Sequence, residues 1–142
     1  MRILFTFIFA ILFSATTYAQ EQYNLRVLGV VDGDTVRIEA PFLPKELKPY
    51  LLLRVYGVDT PEKGARARCS EENMASLKAK LFVEQEISYG KMIRVVIRSW
   101  DKYGGRILGD VIIDGIPLSQ KLIAQKYAVK YKGKGKKKDW CA

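Results

Sequence analysis

Histidine is missing altogether from the 142 residues. Its absence removes imidazole as general base, nucleophile or leaving-group acid, and takes from any zinc site its usual nitrogen ligands. A hydrolase built from this chain must rely on carboxylates and arginines, with or without a metal. Cysteine is scarce, at two residues, Cys69 and Cys141, whose spacing resembles no metal motif. Acids are outnumbered, 15 against 24 lysines and arginines, for a net charge of +9. That excess favours nucleic acid, acidic polysaccharide or a lipid surface as partners. Charge alone does not choose among these, and cationic secreted proteins are common. No apolar run reaches the ~20 residues that cross a bilayer.

The longest such run, Ile3 to Ala15, follows Arg2 and precedes the small residues Thr17 and Ala19 in MRILFTFIFAILFSATTYAQ. This order is that of a secretory signal peptide over residues 1–19, cleaved after Ala19. The expected location is therefore secreted or periplasmic, with no stable membrane insertion after cleavage and a monomeric mature chain. Gln20 rather than cysteine follows the cleavage point, which argues against a lipid anchor. Export places Cys69 and Cys141 in an oxidising compartment and so predicts a disulfide; the alternative is two free thiols.

With 49% hydrophobic and 27% charged residues, the remainder suits one globular domain. YNLRVLGVV and TVRIEA read as strands around DGD, a hairpin with Gly33 at positive φ in an Asp32-Gly33 turn and Asp34 opening the second strand. The proline-rich PFLPKELKPY is a loop and LLLRVYGV a third strand. Met74, Leu77 and Leu81 fall at i, i+3, i+7 and predict a helix packed through them against the sheet, with Ser70 as its cap. KMIRVVIRSW and RILGDVIID are two more strands joined by DKYGG, and PLSQKLIAQKYA is a second helix. Trp100 and Trp140 read as packing residues. The basic tail from residue 130 to 142 is expected to be solvated. The predicted fold is α+β, mainly β: a five-stranded OB-type barrel with two packed helices over residues 20–129.

Asp34, Asp59 and Glu62 fall at strand ends, with Arg54 inside the third strand and Arg106 after the glycine turn. Each has an ordinary reading: Asp34 as a turn acid, Asp59 and Glu62 flanking the strand-ending Pro61, Arg54 as an edge cation. Converged on one rim, they describe something else. Two carboxylates and the Thr60 carbonyl suit a hard cation such as Ca²⁺, Glu62 suits a base, and two arginines suit a phosphate clamp.

In order and spacing, VVDGDTVRI, RVYGVDTPE and DKYGGRILG resemble the staphylococcal nuclease (thermonuclease) family, from about Leu25 to about Val129. The resemblance implies Ca²⁺ held by Asp34, Asp59 and the Thr60 carbonyl, Glu62 as general base, Arg54 as phosphate clamp, and Arg106 as second clamp or leaving-group acid. It also implies hydrolysis of DNA and RNA with little sequence specificity, leaving 3′-phosphates, and Tyr103 lying against the nucleotide. Tyr131 is a further candidate for base stacking, although no motif fixes its alignment. Two departures stand out: one extra residue, in Gly104-Gly105, precedes Arg106, and the lysine tail replaces the third helix of longer members. The alternative function is a non-catalytic nucleic-acid-binding OB-fold module; a cationic binder of cell-surface polyanions explains the charge but not the motifs.

Overall fold

The computed structural model describes residues 21–142. The expected signal peptide and its cleavage point lie outside the described residues. In chain order the elements are β1 (Gln22–Tyr23), β2 (Val27–Asp32), β3 (Thr35–Glu39), β4 (Tyr50–Val55), β5 (Val58–Asp59), a 3₁₀ turn (Gly64–Arg66), α1 (Ser70–Tyr89), β6 (Ile93–Trp100), β7 (Arg106–Ile113), β8 (Ile116–Pro117), α2 (Leu118–Ala124) and β9 (Val129–Lys130). The strands lie in the order β1-β6-β7-β4-β3-β2, with β8 added to β7, and β5 pairs separately with β9. The class is the expected one, α+β and mainly β, carried by five long strands in an OB-like arrangement. The hydrogen-bonded order nevertheless ends at β1 and β2, so the sheet is not closed into a barrel among the described residues.

Alternation in the sequence maps directly onto this sheet. In β3, Val36 and Ile38 are buried while Arg37 between them is exposed. In β7, Ile107, Gly109, Val111 and Ile113 face the core, and Arg106, Leu108, Asp110 and Ile112 face the other way. Leu53 and Val55 join them from β4, and Leu118 and Leu122 from α2. Burying each of these aliphatic side chains stabilises the fold by roughly 1.5–3 kcal/mol.

β4 and β7 run parallel, with Leu52 opposite Arg106 and Arg54 opposite Leu108. Parallel neighbours need a long crossover, here supplied by β5, α1 and β6. Because side chains alternate along a strand, Arg54 and Arg106 emerge on the same face of adjacent strands.

Helix α1 forms where expected but turns a different face inward. Met74, Leu77 and Leu81 are 54%, 44% and 57% exposed, whereas Glu72, Ser76, Ala79 and Val83 are buried. The reason is close approach: α1 lies against the β2–β3 hairpin, and a Cβ at Gly33 would come within 2.8 Å of the Ala79 Cβ. Ala79 therefore sits at the contact, Val83, Phe82 and Ile87 pack on the core from further along the helix, and Met74, Leu77 and Leu81 are left outside. The same crowding corrects the role of Gly33. It is not among the residues with positive φ; glycine is needed there for space. The turn itself is Gly33-Asp34, one residue later than the sequence suggests, with Asp32 paired to Thr35. Cys69 rather than Ser70 caps α1, its sulfur accepting from the Glu72 N–H at 3.3 Å.

Candidate functional site

The hairpin turn, the loop after β5, the loop before β7 and the start of the tail surround one cleft of about 560 Å³. Asp34, Arg54, Thr60, Glu62, Tyr103, Arg106 and Tyr131 all line it. Asp59 opens instead onto a smaller adjoining recess of about 250 Å³, which shares Glu62 with the cleft.

Asp34 is fixed by its turn. Its carbonyl accepts the Val55 N–H at 2.8 Å, which ties the hairpin to β4. Its carboxylate meets Arg54 Nη1 at 2.7 Å and accepts the Thr35 hydroxyl at 3.1 Å. Burial pushes the Asp34 carboxyl up to about 6; Arg54 opposes that rise and the nearby charge of Asp32 adds to it. A carboxyl whose folded pKa exceeds its unfolded value contributes stability below the unfolded pKa and loses it as pH rises through the folded one. In cation-free protein, Asp34→Asn is therefore expected to gain stability relative to the parent as pH climbs from 4 through about 6. Urea unfolding with chelator at several pH values measures the difference; a flat one would remove the buried charge as its cause.

Arg54 spans the two aspartates. Its Nη2 lies 3.9 Å from Asp59 Oδ1 and 3.5 Å from the Val58 carbonyl. Asp59 is 1% exposed, and its Oδ1 has no aligned hydrogen bond despite an ion pair with Lys137 Nζ at 2.9 Å. Asp32 Oδ1 is likewise buried without a partner. Buried carboxylate oxygens with unused lone pairs suit a hard cation. Among the described residues no three acids, cysteines or histidines cluster as metal ligands, so a cation here would rest on Asp34, Asp59 and the Thr60 carbonyl, completed by water. The donor chemistry fits, with Arg54 and Lys137 supplying the positive charge in its place.

Glu62 is half-buried between Lys137 Nζ at 3.2 Å and Arg66 Nε at 3.3 Å. Arg106 reaches the cleft wall despite the added residue. Gly104 and Gly105 take φ of 69° and 64°, a left-handed conformation glycine adopts without penalty. Asp101 and Arg106 then close the loop, the Asp101 N–H donating to the Arg106 carbonyl at 2.9 Å. The Arg106 guanidinium pairs with the buried Asp101 carboxylate through both Nε, at 2.6 Å, and Nη2. Tyr103, 77% exposed, stands at the rim. Trp100 stands with it at 64% exposed, so it is a cleft residue and not the packing residue expected.

The chain matches the family model for staphylococcal nuclease homologues over residues 52–140. It belongs to that family. Membership makes a nuclease-like or nucleic-acid-binding function the broad activity of the cleft. No curated protein matches the chain by sequence. The staphylococcal nuclease match starts inside β4 and runs through the tail as far as Trp140. It thus includes Arg54, Asp59, Thr60, Glu62 and Arg106, while the Asp34 hairpin reaches the same cleft from outside it.

Several residues of this nuclease-family cleft escape sequence reasoning. Asp101 was legible only as part of a loop, although its five-residue spacing from Arg106 is what a closed turn requires. Asp32 passed for a turn acid. Lys137 carried no signal at all, being one lysine in a run. Cys69 and Cys141 are bonded, as expected.

Proposed function

We propose that this chain is a calcium-dependent endonuclease that hydrolyses DNA and RNA with little sequence preference and leaves 3′-phosphates. The observation that carries the reading is the meeting of Asp34, Arg54, Glu62 and Arg106 around one cleft with exposed Trp100 and Tyr103 at its mouth. In a chain with no histidine, these are the groups that remain for phosphodiester hydrolysis. Asp34, Asp59 and the Thr60 carbonyl would hold calcium, which when bound polarises a phosphate oxygen and offsets the charge that develops on it.

The protein's own groups divide the remaining work. Glu62, half-buried and open to the cleft, takes the proton of the attacking water. Arg54 and Arg106 present planar donor pairs suited to phosphate oxygens, and donors held in place before reaction need no reorganisation when charge develops. Arg106 is held by Asp101, and Arg54 by Asp34, so each is aimed while unliganded. Trp100, Tyr103 and Tyr131 offer ring faces to bases, a sequence-tolerant contact. The Cys69–Cys141 bond supports a secreted or periplasmic site of action.

Incubation of the purified chain with single-stranded DNA, duplex DNA and RNA, with calcium and then with chelator, tests this. Cleavage with calcium and its loss with chelator are expected; no cut substrate under any condition would sink it. One observation favours the second reading, a binding module without catalysis: every arginine and acid of the cleft already has an internal partner. Retention of oligonucleotides without cleavage would select that reading.

A further inference from the structure

The tail does not leave the molecule after β9. β9 is paired to β5, with Val129 opposite Asp59 and Lys130 opposite Val58, and the Tyr131 N–H continues that pairing onto the Gly57 carbonyl at 2.8 Å. From there the chain arches back to Cys141, bonded to Cys69 at the head of α1. Arg68 clasps the return, reaching Asp139 Oδ1 at 3.1 Å and the Lys138 carbonyl at 3.3 Å. An arch pinned at both ends holds its middle residues over whatever lies beneath. Beneath it are Asp59 and Glu62, and the side chain directed at them is Lys137, 2.9 Å from Asp59 Oδ1 and 3.2 Å from Glu62 Oε1. Lys137 borders both the main cleft and the recess that holds Asp59.

We infer that Lys137 is a tethered counter-cation that competes with the divalent cation for Asp59, so that the disulfide-anchored tail sets the cation affinity of the site. The inference rests on the calcium reading above. An ammonium beside a carboxylate supplies the charge a metal would supply, but none of its Lewis acidity. Both cannot sit against Asp59 Oδ1 at once without strong repulsion. The cation that binds must therefore displace Lys137, and by linkage whatever removes Lys137 must tighten the cation. The arch keeps the lysine close whether or not it is paired, which gives it a high effective concentration. The other tail lysines share its charge but have no ion pair with Asp59 or Glu62, which makes position, and not net charge, the source of the effect.

The test is calcium titration of the full mature chain by calorimetry, without nucleic acid, for the parent, Lys137→Gln, Lys137→Arg and the neighbouring Lys136→Gln. Removing one charge at this distance in a partly solvated site should tighten calcium about tenfold in Lys137→Gln. Lys136→Gln should stay within about twofold of the parent, since an exposed charge is largely screened, and Lys137→Arg should behave as the parent. Labelling of the Lys137 amine by an acylating reagent, read by mass spectrometry, should also rise when calcium is added to the parent. Calcium binding in all four chains with Lys137→Gln no tighter than Lys136→Gln would overturn the competition and leave the calcium reading intact. No calcium binding by any of them would overturn both. Thermal unfolding of each cation-free variant confirms that the comparison is between folded proteins.

Discussion

Glu62→Gln is expected to lose two to four orders of magnitude in turnover, the range a positioned general base contributes, while keeping its fold and its grip on nucleic acid. The separation follows from what Glu62 touches. Among the described residues its carboxylate pairs with Arg66 and Lys137 alone, both well exposed, and such pairs contribute about 0–1 kcal/mol each. Gln is isosteric, so the Pro61 turn and the Glu62 N–H bond to Glu72 at 3.3 Å are untouched. Loss of the carboxylate frees two cations beside the cleft, which favours polyanion binding if it changes it at all. Single-turnover cleavage and filter binding on the same oligonucleotide separate the two effects. Turnover within about threefold of the parent would take the base role away from Glu62, because a general base contributes far more than that.

Opening the Cys69–Cys141 bond is the largest stability change expected. The bridge joins residues 72 apart, and closing a loop of that length restricts the unfolded chain by about 4 kcal/mol in the chain-entropy model. For a domain of this size that corresponds to a fall in melting temperature of roughly 16 °C. The paired Cys69→Ser, Cys141→Ser variant also changes the atom that caps α1, since Cys69 Sγ accepts the Glu72 N–H. A serine hydroxyl is a better cap than sulfur, so the cap offsets part of the loss and does not add to it. Urea unfolding of the oxidised chain, the reduced chain and the double serine variant distinguishes these terms. A difference below about 1 kcal/mol between oxidised and reduced protein would show that the unfolded loop is already restricted by other means.

β3 was legible by its alternation, and β4 and β7 as short apolar runs rich in Leu, Val and Ile bounded by turn residues. The helix was legible as an element but not in orientation. Met74, Leu77 and Leu81 satisfy a helical period, yet the face that meets the hairpin at Gly33 is the one that carries Ala79, with Glu72, Ser76 and Val83 buried beside it. Periodicity reports that a helix has two faces, and here the crowded side is the one with the smaller side chains. The hairpin turn lies one residue later than expected because DGD offers two places to turn, and the space beside Thr60 and Ala79 leaves no room for a Cβ at Gly33. That Asp34, Arg54, Glu62 and Arg106 would meet was readable because their motifs place Asp34, Glu62 and Arg106 beside strand ends and Arg54 within the strand between them. Lys137 was not. Its position depends on a bond between cysteines far apart in the chain and on the β5–β9 pairing, and neither leaves a trace in a run of lysines.

Arg54 and Arg106 are neighbours solely through the parallel pairing of β4 and β7, and that pairing carries a consequence for how the protein comes into being. Between the two arginines lies a crossover that includes β5, all of α1 and β6, and contacts so distant in sequence form late, after the entropy of closing the loop has been met. Half of this cleft is therefore never available early. A chain interrupted before Arg106 would have the hairpin, Asp59 and Glu62 but neither that arginine nor the tail arch. The cleft therefore draws on both sides of that crossover, and a fragment that stops short of β7 holds only part of it.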